Sequence, residues 1–214
     1  MDAPLTVLAA VLAAALVLLA LGWTLYAVAL RVDRLHRQVL GSRATLEAQS
    51  IHRAQAALDL AATGALDPAS ALLLSRAAHD VLDCEGPLVE DGLDPEAGGS
   101  VVAGRSRSLI ESDLSRVIRA VLHARARAAL ADQPLADDAL ARLDKACYRL
   151  VLARRFHNTH VAEARRLRSG LLVRRLHLAG RAPMPQTFDI DDDAAPVAGP
   201  VTAAADDPTD GDSA

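Results

Sequence analysis

The sequence predicts an all-α protein: one N-terminal transmembrane helix that continues into an antiparallel helical bundle and ends in a disordered acidic C-terminal tail. Three observations carry that reading. Hydrophobic residues make up 51% of the 214 residues and aromatics only 2%. The dominant Ala, Leu and Arg form helices readily, and the aromatic residues that strands favour are scarce. Residues 5–30 are uncharged and almost wholly apolar. Beyond them, apolar residues recur at helical spacing between well-separated Gly and Pro breaks.

A short N-terminus, residues 1–4, precedes the span at 5–30. These 26 residues would reach roughly 39 Å at about 1.5 Å per residue, enough for a hydrocarbon core of about 30 Å. Trp23 and Tyr26 fall at one end of it, where interfacial aromatics belong. A cleaved signal peptide would carry a basic n-region, but the chain opens Met1-Asp2-Ala3-Pro4. Arg31, Arg34, Arg37 and Arg43 follow the span, whereas Asp2 precedes it. Basic flanks stay cytoplasmic, so the expected orientation is N-terminus outside and the domain inside.

The bundle is expected over 31–188. Its first helix should continue from the span, with Val32, Leu35, Val39, Leu46, Ile51 and Leu58 on one face, and stop at Ala62-Thr63-Gly64. Asp67-Pro68 reads as an N-cap and first-turn proline opening a short helix through Leu82. Residues 83–104 hold five Gly, two Pro and six acids, a flexible acidic loop. A helix from Ser106 to Ala131 follows, with Leu109, Ile110, Leu114, Val117, Ile118, Val121 and Leu122 as its stripe. Asp132-Gln133-Pro134 breaks it. The last helix is expected from Ala136 to Leu178, with Leu140, Leu143, Cys147, Leu150, Val151, Val161 and Leu167 at core spacing and a bend at Gly170. Residues 189–214, with eight Asp and no base, form the disordered tail.

The net charge of −4 conceals a split, because residues 31–188 carry 23 Lys and Arg against 18 acids. Lys145 is the single lysine, a bias that suggests a GC-rich bacterial genome. Cys84 and Cys147 match no metal or redox spacing and fit a reducing compartment.

Several residues and motifs point to a family. Leu46-Glu47-Ala48-Gln49-Ser50-Ile51-His52-Arg53 stands where LemA-family proteins carry I-D-V-Q-L-K-R-R, with Gln49 and Arg53 identical. Glu111, Leu114 and Ser115 match the family's E-N-x-L-S. Residues 153–161, Ala-Arg-Arg-Phe-His-Asn-Thr-His-Val, are similar to A-R-x-x-Y-N-x-x-V, with His157 in place of the Tyr. Arg43 replaces a family Trp, and the later Tyr-Asn and Phe-Pro pairs are missing at Ala164-Arg165 and around Leu171. The chain thus resembles a divergent LemA-family member over about residues 5–189. The resemblance implies the fold and the membrane anchor, and it supplies no enzymatic activity. It also makes Gln49 a candidate partner for Asn158.

Gln49, Arg53, Arg154 and Asn158 are the expected structural polar contacts between helices. From Arg149 to Arg181 there are nine Arg and a single acid, Glu163. If four soluble helices alternate in direction, the last returns to the membrane. It would then bring Arg165, Arg166, Arg168, Arg174 and Arg175 to anionic lipid head groups, each contributing about 1 kcal/mol. Nucleic acid is not an expected partner, because aromatics for base stacking are nearly absent. His157, His160 and Glu163, spaced three apart, are the metal-ligand alternative, without H-E-x-x-H or a cysteine pair beside them. A calcium loop starting at Asp189 lacks its Gly and its Glu, since Ala194 and Pro200 stand there. Phosphate-loop, dinucleotide and nucleophile-elbow motifs are absent, and no cofactor is expected. The expected function is non-enzymatic interaction or scaffolding at a bacterial inner membrane, with an unnamed protein partner. A metal-dependent enzyme and a self-assembling coiled coil are the alternatives.

Overall fold

The computed structural model describes residues 3–84, 88–89, 106–175 and 183–190. Six helices and no strand are present among them. The first, α1 (Ala3–Ala62), runs 60 residues, about 90 Å at ~1.5 Å per residue. Every side chain from Pro4 to Thr24 is exposed, Leu19 and Trp23 both at 72%. This stretch is long and apolar enough to cross a membrane, judged by length and composition. Trp23 and Tyr26 lie together at its end, ring centroids 6.5 Å apart.

Further along the same helix, one face turns inward. Leu35, Val39, Leu46, Ser50, Arg53, Ala57 and Leu60 are buried. They advance by three or four residues, or by the seven that these sum to, so the line stays on one side of the helix. The helix stops where Thr63 N–H donates to the Leu60 carbonyl at 3.2 Å and Gly64 takes φ 72°. That left-handed conformation suits Gly because a Cβ would be strained there.

Helix α2 (Pro68–Leu82) folds back on α1 and buries Leu74, Ala77, Ala78 and Val81. Its cap is the expected one: Asp67 Oδ1 accepts from Ser70 N–H at 3.0 Å, with Pro68 in the first turn. The Ser70 side-chain hydrogen bond, followed by the backbone one, holds the Asp67 carboxyl below its ordinary value.

The single helix expected over 106–131 is two. Helix α3 (Arg107–Val121) ends at Leu122, and α4 (Ala124–Ala131) restarts with His123 Nδ1 accepting from Ala126 N–H at 3.2 Å. The break lets both Leu122 (4% exposed) and Leu130 (1%) enter the core. Arg127 spans it: Nε donates to the Leu122 carbonyl at 3.1 Å, and the guanidinium makes two bonds to Asp144, at 2.8 and 2.9 Å. The Asp144 carboxylate raises the Arg127 pKa further, so this cation persists at any working pH.

Helix α5 (Pro134–Arg168) lies antiparallel to α1 along most of the bundle. Leu143, Leu150, Ala153, His157, Val161 and Ala164 form its buried line. The expected continuation to Leu178 instead stops at Arg168, followed by a turn at Ser169-Gly170 and a short α6 (Leu171–Arg175). A Cβ on Gly170 would sit 3.1 Å from the Leu167 carbonyl, so any larger residue at this turn would have to push that carbonyl aside by a few tenths of an ångström.

The expected stripes were partly misplaced. Leu109 is 54% exposed, and Val32, Ile51 and Val151 are only half-buried, whereas Leu58, Val117, Cys147 and Leu167, also half-buried, pack against the core. Polar residues hold several seam positions instead: Ser50, Arg53, Arg107, Glu111, Ser115 and His157. Glu47–Arg107, Ser50–Glu111 and Arg53–Ser115 contacts rise along both helices together, so α3 runs parallel to α1. The result is an up-down-up-down antiparallel bundle. Residues 183–190 form an extended strap along α5. Asp189 and Ile190, expected to open the tail, belong to this strap, and Ile190 is 6% exposed. The expected tail beyond Ile190 lies outside the described residues, as does the acidic loop apart from Asp83, Cys84, Leu88 and Val89.

Candidate functional site at the span end of the bundle

Two polar assemblies stand out, one internal and one on the flank of α5. The internal one joins α1 to α3. Arg53 donates to the Glu111 carboxylate at 2.6 Å, to the Glu111 carbonyl at 3.1 Å and to Ser115 Oγ at 2.8 Å. Ser50 Oγ donates to the other Glu111 oxygen, and Arg53 and Glu111 are 3% and 0% exposed. A buried pair of this kind fixes register, because sliding either helix by one residue would strand a charge. Its burial suits packing, not reaction with a ligand.

The second assembly holds the strap. Asn158 Nδ2 donates to the Phe188 carbonyl at 3.0 Å, and Phe188 N–H donates to Asn158 Oδ1 at 2.9 Å. The side-chain amide thus copies a backbone pairing. Arg168 donates to the Pro183 carbonyl at 2.5 Å, and Arg165 Nε to the Pro185 carbonyl at 2.7 Å. Arg154 reaches the Ile190 carbonyl and Asp189, both at 3.3 Å. His157 is fully buried, with Nδ1 at 3.0 Å from Ser42 Oγ and Nε2 at 3.3 Å from the Gln186 carbonyl. Meanwhile Pro185, Phe188 and Ile190 turn inward. Nearly all these bonds reach the strap's backbone, while its apolar side chains supply the burial.

Asn158 therefore pairs with Phe188 and not with Gln49, whose Oε1 is buried without a hydrogen-bond partner. Nothing local in the sequence marks this pairing, because strap and helix are 30 residues apart. The alternation of buried Phe188 and Ile190 around exposed Asp189 was the one available signal of an extended segment. The three residues of the metal alternative do not converge. His157 is engaged as above, and Glu163 faces Arg31 at 4.0 Å. Among the described residues no three His, Cys, Asp or Glu side chains form a metal set.

The antiparallel pairing also decides where the arginine-rich end of α5 lies. Arg31 meets Glu163, Leu35 and Val39 pack with Val161 and Ala164, and Ser42 meets His157. Arg165, Arg166 and Arg168 consequently end the stretch of α5 that packs beside residues 31–42 of α1, and Arg174 and Arg175 follow in α6. Arg165, Arg166, Arg174 and Arg175 are exposed, and Arg168 is half-buried.

Fold and site define a helical-bundle protein with one candidate membrane-spanning helix. Comparison with protein-family models, curated proteins and solved structures finds no match for the chain.

Proposed function

We propose that the chain is a single-pass protein of a bacterial inner membrane, with its bundle on the cytoplasmic side, acting as a non-enzymatic interaction platform. One observation carries most of this reading: α1 passes without a break from the exposed apolar stretch into the bundle core. The apolar stretch and the bundle are thus one continuous helix, and the antiparallel α5 brings Arg165, Arg166 and Arg168 back toward the end of that stretch. The charge on both helices favours an anionic inner surface. The LemA likeness supports the same reading, since Arg53, Glu111, Ser115 and Asn158, which carry the likeness, all make inter-element contacts. The acidic segment after Ile190 would recruit a basic protein partner.

Reporter fusions at the C-terminus in intact cells test the orientation. A cytoplasmically active reporter is expected. A reporter active only on the far side would overturn both the orientation and the lipid-facing role of the arginines.

A further inference from the structure

We propose that the groove between α1 and the end of α5 is a lipid site. It takes one acyl chain of an anionic phospholipid, whose phosphate is met by the surrounding arginines. The inference rests on the membrane-anchored reading above.

The groove has a volume of about 190 Å³. Its walls are Ala29, Val32, Leu35 and Val39 from α1, and Ala164 and Leu167 from α5. An apolar cavity of about 150 Å³ is already large enough to stay dry and hold a benzene-sized molecule. This one therefore has room for part of a hydrocarbon chain along its apolar walls. Its place along α1 matters as much as its size. The lining begins at Ala29, inside the uncharged run, so an acyl chain lying against the exposed apolar surface of α1 can enter without leaving apolar cover.

Charge selects the headgroup. Residues 31–37 and 163–175 together carry eight Arg and two acids. Four of these arginines are engaged, Arg37 with Asp33, Arg31 with Glu163, and Arg165 and Arg168 with the strap carbonyls of Pro185 and Pro183, so the exposed Arg34, Arg166, Arg174 and Arg175 are the ones to meet a phosphate. Arg168 itself lines the groove, along with His36 and Asp33. A guanidinium presents a planar fork that fits phosphate oxygens in pairs. Free phosphate would use the arginines but leave the apolar walls without an occupant, whereas an anionic phospholipid uses both.

The test uses the full chain in lipid nanodiscs doped with phosphatidylglycerol or phosphatidylcholine, each carrying the same diazirine-labelled acyl chain. Photolabelled peptides are then mapped by mass spectrometry. Residues 29–39 and 164–168 are expected to label about threefold more with the anionic probe, while 5–24 label equally with both. Val32→Phe and, separately, Ala29→Phe fill the groove from its α1 wall. Each should lower labelling at 164–168 by about fivefold and leave 5–24 unchanged. Labelling confined to 5–24, equal labelling of the groove by both probes, or no effect of either Phe variant would overturn the lipid site and leave the anchor standing. Loss of labelling on 5–24 itself would remove the anchor, and the site with it.

Discussion

The two ends of the bundle are built on different principles. At the end far from the candidate span, α1, α2, α3, α4 and α5 converge on one large apolar cluster that includes Leu60, Leu74, Leu114, Leu130 and Leu143. Near the span, α2 and α3 have run out, each being only 15 residues long. There α1 and α5 are left as a pair with two small clusters, one of which takes in Leu88 and Val89, with Arg43 donating to the Val89 carbonyl at 2.9 Å, and the strap covers their flank. The difference shows how a two-helix segment compensates for a missing layer. A helix pair alone buries too little, so an extended segment is held by side chains that satisfy its backbone, while Pro185, Phe188 and Ile190 extend the core.

Breaking the far end should cost most. Glu111→Leu leaves Arg53 buried without its carboxylate and should destabilise the bundle by about 3–5 kcal/mol. Adding Arg53→Met should recover most of that loss. Denaturant unfolding of the detergent-solubilised chain reads both values, and a single mutant as stable as the parent would contradict the buried pair. Breaking the span end should act more locally. Asn158→Leu removes both bonds to Phe188 and should cost about 1–3 kcal/mol. Its main sign should be protease cleavage within 183–190 before the helices melt. Unchanged protection of that segment would mean that Asn158 does not hold it.

Two smaller changes sharpen the contrast. A Cβ on Gly41 would have open space around it, so Gly41→Ala should stabilise α1 by about 0.5–1 kcal/mol, a gain visible as a higher midpoint. At the other end, the folded-state pKa of Asp67 is lowered, so its cap bond contributes fully above the ordinary value of 3.8. That contribution is lost as pH falls below 3.8 through the folded value. Asp67→Asn should keep the cap and flatten this part of the acid profile. A profile unchanged by the substitution would place the acid sensitivity elsewhere.

Much of the distal architecture was legible in advance because local chemistry specified it. The uncharged run, the Gly64 stop, the Asp67-Pro68 start and the Pro134 break act within a few residues of themselves. The seam was less legible. Periodicity searches follow large apolar residues, whereas this seam also passes through Ser50, Arg53, Glu111, Ser115 and His157. Those residues read as surface until their partners on another helix are known. The break at Leu122–His123 was missed for a related reason: nothing local forbids a helix there, and the gain from burying both Leu122 and Leu130 is tertiary.

The sequence by itself determined the helical class, the long apolar run and the charge that gathers after it, because propensity, hydropathy and charge are properties of residues and their near neighbours. It also marked Asn158 and Arg53 as unusual, since polar groups at helical core spacing are costly unless satisfied. Only the tertiary structure decided what satisfies them: Glu111 from a helix about 60 residues away in the chain, and the backbone of Phe188 from a strap 30 residues beyond. Hydrogen bonds are read by distance in space, and chain separation carries almost no information about that distance until the helices have packed.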